Sequence, residues 1–140
     1  AIKADPSRIP SVVEEALRLA SPNQGLFRMA TSDTEVGGVA IPAGSTIWVM
    51  FGSANRDEEL FAHAEEFDPD RDDAGGHLAF GKGPHYCLGA ALARIEARIA
   101  LETLAVHIDT ITVDPAQGLT YAPSYVLRGL ETLDVGFTYR

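Results

Sequence analysis

Cysteine is almost missing from this 140-residue chain, where Cys87 stands alone. A lone thiol cannot close an intrachain disulfide, which excludes a disulfide-stapled scaffold and makes a reducing cytoplasm the expected location. Long hydrophobic runs are missing too. The longest, Ile47-Trp48-Val49-Met50-Phe51, falls far short of the roughly 20 residues that cross a bilayer. No membrane association is therefore expected, nor a secretory leader from the opening residues. Basic residues are few: 11 Lys and Arg against 20 Asp and Glu leave a net charge of −9, which argues against a nucleic-acid partner. No internal repeat or low-complexity stretch is present.

What remains is the composition of a soluble folded domain, 46% hydrophobic and 22% charged, with punctuation that predicts mixed α and β structure. A helix is expected over residues 10–20, with Pro10 in its first turn, Glu14 and Glu15 near its positive end and Ser21-Pro22 closing it. Val12, Val13, Ala16, Leu17 and Leu19 supply its apolar face. Short strands follow at 26–30, 39–41 and 45–51, separated by turns at Gly37-Gly38 and Pro42-Ala43-Gly44. Residues 52–76 read as an acidic loop with one short helix at 57–61. A long helix is expected over 88–107, with Leu88, Leu92, Ile95, Ile99, Leu104 and Val106 covering more than half its circumference. Such a helix calls for burial on several sides. Two strands, at 125–128 and 133–137, complete the tail.

The chemistry concentrates in Phe80-Gly81-Lys82-Gly83-Pro84-His85-Tyr86-Cys87-Leu88-Gly89. Glycines allow backbone to approach a flat group closely. A helix opening just after the sulfur favours thiolate over thiol. A thiolate delivered on a loop suits haem iron as an axial ligand. The bland alternative is a glycine-rich turn around a small core residue. Zinc fits poorly, since no compact set of four ligands accompanies Cys87 and His85. Gly81-Lys82-Gly83 lacks the spacing of a phosphate loop.

This stretch resembles the haem-binding loop of the cytochrome P-450 superfamily, Phe-Gly-x-Gly-x-His-x-Cys-x-Gly, at Phe80, Gly81, Gly83, His85, Cys87 and Gly89. The resemblance implies haem b, with Cys87 as the axial ligand of the iron and Phe80, Gly81 and Gly89 shaping the loop. It implies the C-terminal part of that α+β fold: helices with small antiparallel sheets and a cysteine ligand loop before a long helix. Glu15-Ala16-Leu17-Arg18 alone would be an exposed ion pair contributing about 0.2–0.5 kcal/mol. The resemblance implies more, a structural triad of Glu15, Arg18 and Arg71 locking the haem loop. It likewise implies Arg28 and His85 as propionate partners, and Leu26, Phe27 and Val126 as substrate-facing. His63, His77 and His107 match nothing in the family and read as ordinary loop or helix-end residues.

The resemblance covers nearly all of residues 1–140, as an incomplete, proximal haem-binding portion of a P-450 domain with the distal helices absent. Ala1 is not a methionine, in keeping with a piece of a longer product. The acid–alcohol pair of the family's central helix has no counterpart: Asp33-Thr34 and Asp109-Thr110 both fall in the wrong context. Two function classes stay open. One is the C-terminal part of a haem-thiolate monooxygenase that inserts one oxygen atom of O2 into a small apolar substrate, with electrons from a ferredoxin-type donor docking near Lys82, Arg94 and Arg98. The other is a truncated, inactive fragment or self-associating remnant without bound haem. Either way, apolar surface is expected to seek the missing N-terminal portion or a second copy of the chain.

Overall fold

The computed structural model describes residues 2–140. A turn of 3-10 helix at Pro6–Arg8 leads into helix α1, Ile9–Ala20, with Pro10 in its first turn where a missing N–H costs nothing. Ser21 ends it in the left-handed conformation (φ 41°), its N–H bonded to the Leu17 carbonyl at 3.0 Å. The buried face is not purely apolar. Ile9 and Val13 share it with Glu15 and Arg18, all but sealed from solvent, whereas Ala16 is exposed.

Strands β1 (Leu26–Met29) and β4 (Thr46–Val49) pair antiparallel, with Leu26 opposite Val49. Between them β2 (Thr34–Val36) and β3 (Val39–Ile41) form a hairpin that the sequence reading missed by half. Gly37 and Gly38 both take positive φ, 57° and 80°, as a two-residue hairpin turn demands, and such a turn needs a strand on each side. Phe51 starts a four-residue helix, α2 (Phe51–Ala54), rather than ending β4.

The expected helix at 57–61 is a turn. The Asp57 side chain accepts the Glu59 N–H at 3.0 Å, offering the backbone a local alternative to helix. Helix α3 spans Ala90–His107 and runs directly into β5, Ile108–Val113, which pairs with β6, Val135–Tyr139. The expected strand at 125–128 is absent; that segment contributes only an isolated bridge between Leu127 and Asn23. The β-branched run Ile108, Thr110, Ile111, Thr112 and Val113 carried the signal for the true partner strand.

The core gathers around α1, where Ile9, Val13, Phe61, Ala64 and Ala90 are buried, with α3 and the Ala74–Gly76 turn packed against the helix. On the other sides α3 is open. Leu92, Ile95 and Ile99 remain between 47% and 59% exposed, the face that its all-round hydrophobicity predicted would be covered. Among the described residues no helix is long and apolar enough to cross a membrane.

Candidate functional site

The cysteine loop closes on itself. Gly81 and Gly83 occupy the left-handed region, at φ 72° and 75°, where a side chain would be strained. Those two reversals let the Phe80 carbonyl accept the Cys87 N–H at 2.9 Å, and the Gly83 carbonyl accept that of Tyr86 at 3.0 Å. Cys87 is left exposed, three residues before α3, with Gly89 as the helix cap. It lines a cleft of about 430 Å3 with Leu17, Leu26, Phe51, Ala79, Phe80 and Leu127 as apolar walls. An adjoining cavity of about 230 Å3 shares Leu26, Phe51, Gly81 and His85 and adds Arg28 and Lys82. The Arg28 guanidinium donates to the Phe27 carbonyl at 3.0 Å and has no carboxylate partner among the described residues. The exposed thiol thus lines one cavity and the unpaired Arg28 the other, with Leu26, Phe51, Gly81 and His85 common to both.

Glu15, Arg18 and Arg71, which in the sequence only the family resemblance groups, meet at one carboxylate. Arg18 forks onto the Glu15 carboxylate at 2.7 and 2.8 Å, and Arg71 Nε donates to the same group at 3.0 Å, as does the Asp68 N–H at 2.9 Å. The remaining Arg18 donors reach the carbonyls of Asn55 and Ala64, both at 2.7 Å, and Glu66 at 3.1 Å. Burial disfavours the Glu15 charge, but the Arg18 fork, the Asp68 N–H and Arg71 outweigh it and hold the carboxyl below its usual range. This is a buried, fully bonded cluster rather than an exposed pair.

The cytochrome P450 family model matches residues 9–110. The chain belongs to the cytochrome P450 family. It is 40% identical over 135 residues to 6-deoxyerythronolide B hydroxylase of Saccharopolyspora erythraea, covering 96% of this chain and 33% of that protein. A substrate-free cytochrome P450 of Mycobacterium marinum superposes with a TM-score of 0.95 at 39% identity, over 99% of this chain and 36% of that one. A Bacillus megaterium P450 in complex with corticosterone gives a TM-score of 0.90 at 39% identity, over 96% of this chain and 36% of that one. The chain thus spans about a third of the length of the curated P450 relatives it matches.

Within this P450 segment, most of the residues singled out from sequence converge. Cys87, Phe80, Gly81, His85 and Arg28 border the two joined cavities, and Gly89 caps the helix beyond them. Leu26 borders both. Phe27 does not reach the cleft: strand alternation sends it to the opposite face of β1, stacked on Trp48 at 5.9 Å between centroids. Val126 is likewise displaced by its neighbour. Its carbonyl accepts the Gln24 N–H at 2.7 Å, while Leu127 lines the cavity. Lys82, Arg94 and Arg98 do not form a free basic cluster, because Glu14 pairs with Arg94 at 2.5 Å and Glu102 lies 3.6 Å from Arg98.

Two polar residues of the P450 core escaped the sequence reading. Asn55, wholly buried, donates to Ser21 Oγ at 2.8 Å and accepts the Leu78 N–H at 2.6 Å, tying the end of α1 to the approach of the cysteine loop. His77 is not an ordinary loop residue. It is 7% exposed, accepts the Ala79 N–H on Nδ1 at 3.1 Å, and brings Nε2 within 3.2 Å of Glu14 without a well-directed bond.

Burial pushes the His77 pKa below its ordinary 6.5, against the pull of Glu14 and with the help of Arg94. A depressed folded pKa means the unfolded chain binds the proton more readily, so stability is complete above about pH 6.5 and falls as pH drops below it. Urea midpoints between pH 7.5 and 5.5 are expected to decline in the wild type and to flatten in His77→Gln. An equal decline in both would remove His77 from the account.

Proposed function

We propose that this chain is the proximal, haem-bearing portion of a P450 monooxygenase, with Cys87 as the axial sulfur. The observation that carries this reading is the placement of an exposed thiol and an unpaired arginine on two cavities that share the walls Leu26, Phe51, Gly81 and His85. That donor set fits haem: one sulfur for the iron, apolar walls for the porphyrin, and cations or donors for two carboxylates. Among the described residues no group of three or more His, Cys, Asp or Glu could hold a metal by itself, which favours a ligand carried on a macrocycle over zinc. Haem, when bound, supplies redox-active iron for the activation of O2.

The chain's own residues bind and orient. Arg28 and His85 would hold the propionates; Leu26, Phe51 and Ala79 would wall the porphyrin; Glu15, Arg18 and Arg71 would keep the loop's platform rigid. The parent protein would oxidise a small apolar substrate with electrons from a ferredoxin-type donor. Steroid binding by the Bacillus megaterium relative supports the apolar class. The acid–alcohol chemistry and distal wall would come from a further portion of the protein or from a second copy. The uncovered side of α3 supports that need.

Haem titration of the purified chain tests this reading. Trp48, the only tryptophan, reports binding by fluorescence quenching. Saturable one-to-one uptake is expected, weakened in Arg28→Gln by about 10-fold or more, as befits loss of a hydrogen bond to a charged group. The absence of saturable uptake would overturn the reading for this chain.

A further inference from the structure

Arg94 sits where helix α1, helix α3 and both ends of the cysteine loop meet. Its Nε and Nη2 fork onto the Glu14 carboxylate of α1 at 2.5 and 2.9 Å, which fixes the plane of the guanidinium. Nη1 then donates to the Tyr86 hydroxyl at 3.0 Å, while the guanidinium carbon lies 4.7 Å from the centre of the Phe80 ring. Phe80 also packs edge-on against Tyr86 at 6.3 Å and tilted against His77 at 6.0 Å. Phe80 and Tyr86 are not arbitrary loop positions. The Phe80 carbonyl holds the Cys87 N–H, and Tyr86 is the residue before the cysteine.

We propose that Arg94, oriented by Glu14, is a positioning residue that clamps both ends of the cysteine loop and so fixes where the Cys87 sulfur stands. The proposal rests on the reading of Cys87 as haem ligand. A simple tie between two helices would need only the Glu14 pair; the contacts to Phe80 and Tyr86 direct the same group at the loop. The Glu14 pair also opposes a role for Arg94 as a free docking cation, because Glu14 compensates its charge, and the Arg94 fork in turn holds the Glu14 carboxyl below its usual range. Lysine could keep the charge, but neither the fork nor the planar stack.

The test is amide hydrogen exchange on the haem-free chain, followed by haem loading. In Arg94→Ala the Tyr86 and Cys87 amides are expected to exchange about tenfold faster, with smaller changes in the rest of the protein; Arg94→Lys should lie between. Tyr86→Phe removes only the hydroxyl acceptor and should speed the same two amides even if Arg94→Ala fails to fold. Unchanged exchange at these amides, or equal acceleration throughout, would overturn the clamp. Loading then separates the two claims. Mixed sulfur and non-sulfur carbonyl spectra in the variants against a uniform wild type support the clamp, and identical spectra count against it. A wild type that never shows sulfur ligation instead removes the ligand reading on which the clamp depends.

Discussion

Glu15→Ala is expected to destabilise the chain by about 3–5 kcal/mol and to abolish haem uptake. Total stabilities of domains are about 5–15 kcal/mol, so a loss of that size leaves little folded protein. Alanine would strand Arg18, wholly buried, and Arg71, nearly so, without their shared counter-charge, and would leave the Asp68 N–H unbonded. Arg71→Ala should cost less, because Arg71 is the outermost member and Arg18 still satisfies the carboxylate. The sign with pH follows from the lowered Glu15 pKa. Its contribution is complete at neutral pH and is lost as pH falls through and below the ordinary carboxylate range. Urea unfolding of both variants at pH 7 and pH 4 checks this. A Glu15→Ala protein that unfolds like the wild type and takes up haem would remove the triad from the account.

Cys87→Ala is expected to do the reverse: small for folding, total for ligation. The thiol is exposed, and substitutions at such positions usually change stability by no more than about 0.5 kcal/mol. The loop's own closure uses the backbone N–H of residue 87, which alanine retains. Haem should still enter the apolar cleft and meet Arg28, but more weakly and with no sulfur on the iron. Near-equal unfolding midpoints with loss of every sulfur-dependent spectral feature are the expected pair of results. Retention of those features in Cys87→Ala would contradict the assignment outright, since the chain has no other cysteine.

What could be read from the sequence was what lies close together along it. The cysteine loop compresses its ligand, its two reversing glycines and its histidine into ten consecutive positions, and the structure keeps the main members in one cleft. Glu15 and Arg18 were visible as a pair, but their spacing alone read as exposed, and only the family resemblance implied their burial. It depends on carbonyls of Asn55, Ala64 and Glu66, which only the folded chain brings to α1. Asn55 and His77 went unread for the same reason: Asn55 bonds across distant segments, His77 is buried close to Glu14 of α1, and neither sits in a pattern that marks it as buried. On a finer scale Phe27 lies on the face of β1 opposite Leu26, where strand alternation puts it, and Leu127 rather than its neighbour Val126 lines the cleft. Helix α3 shows the opposite case. Its all-round apolar character was plain, and the 140 residues leave much of it uncovered.

We propose that Cys87 places its sulfur on haem iron. The most direct test is the absorption spectrum of the haem-loaded, reduced chain under carbon monoxide. The account predicts the strongly red-shifted Soret band of a thiolate-ligated carbonyl, present in the wild type and lost in Cys87→Ala. A carbonyl spectrum without that shift, or one the substitution leaves unchanged, would contradict it.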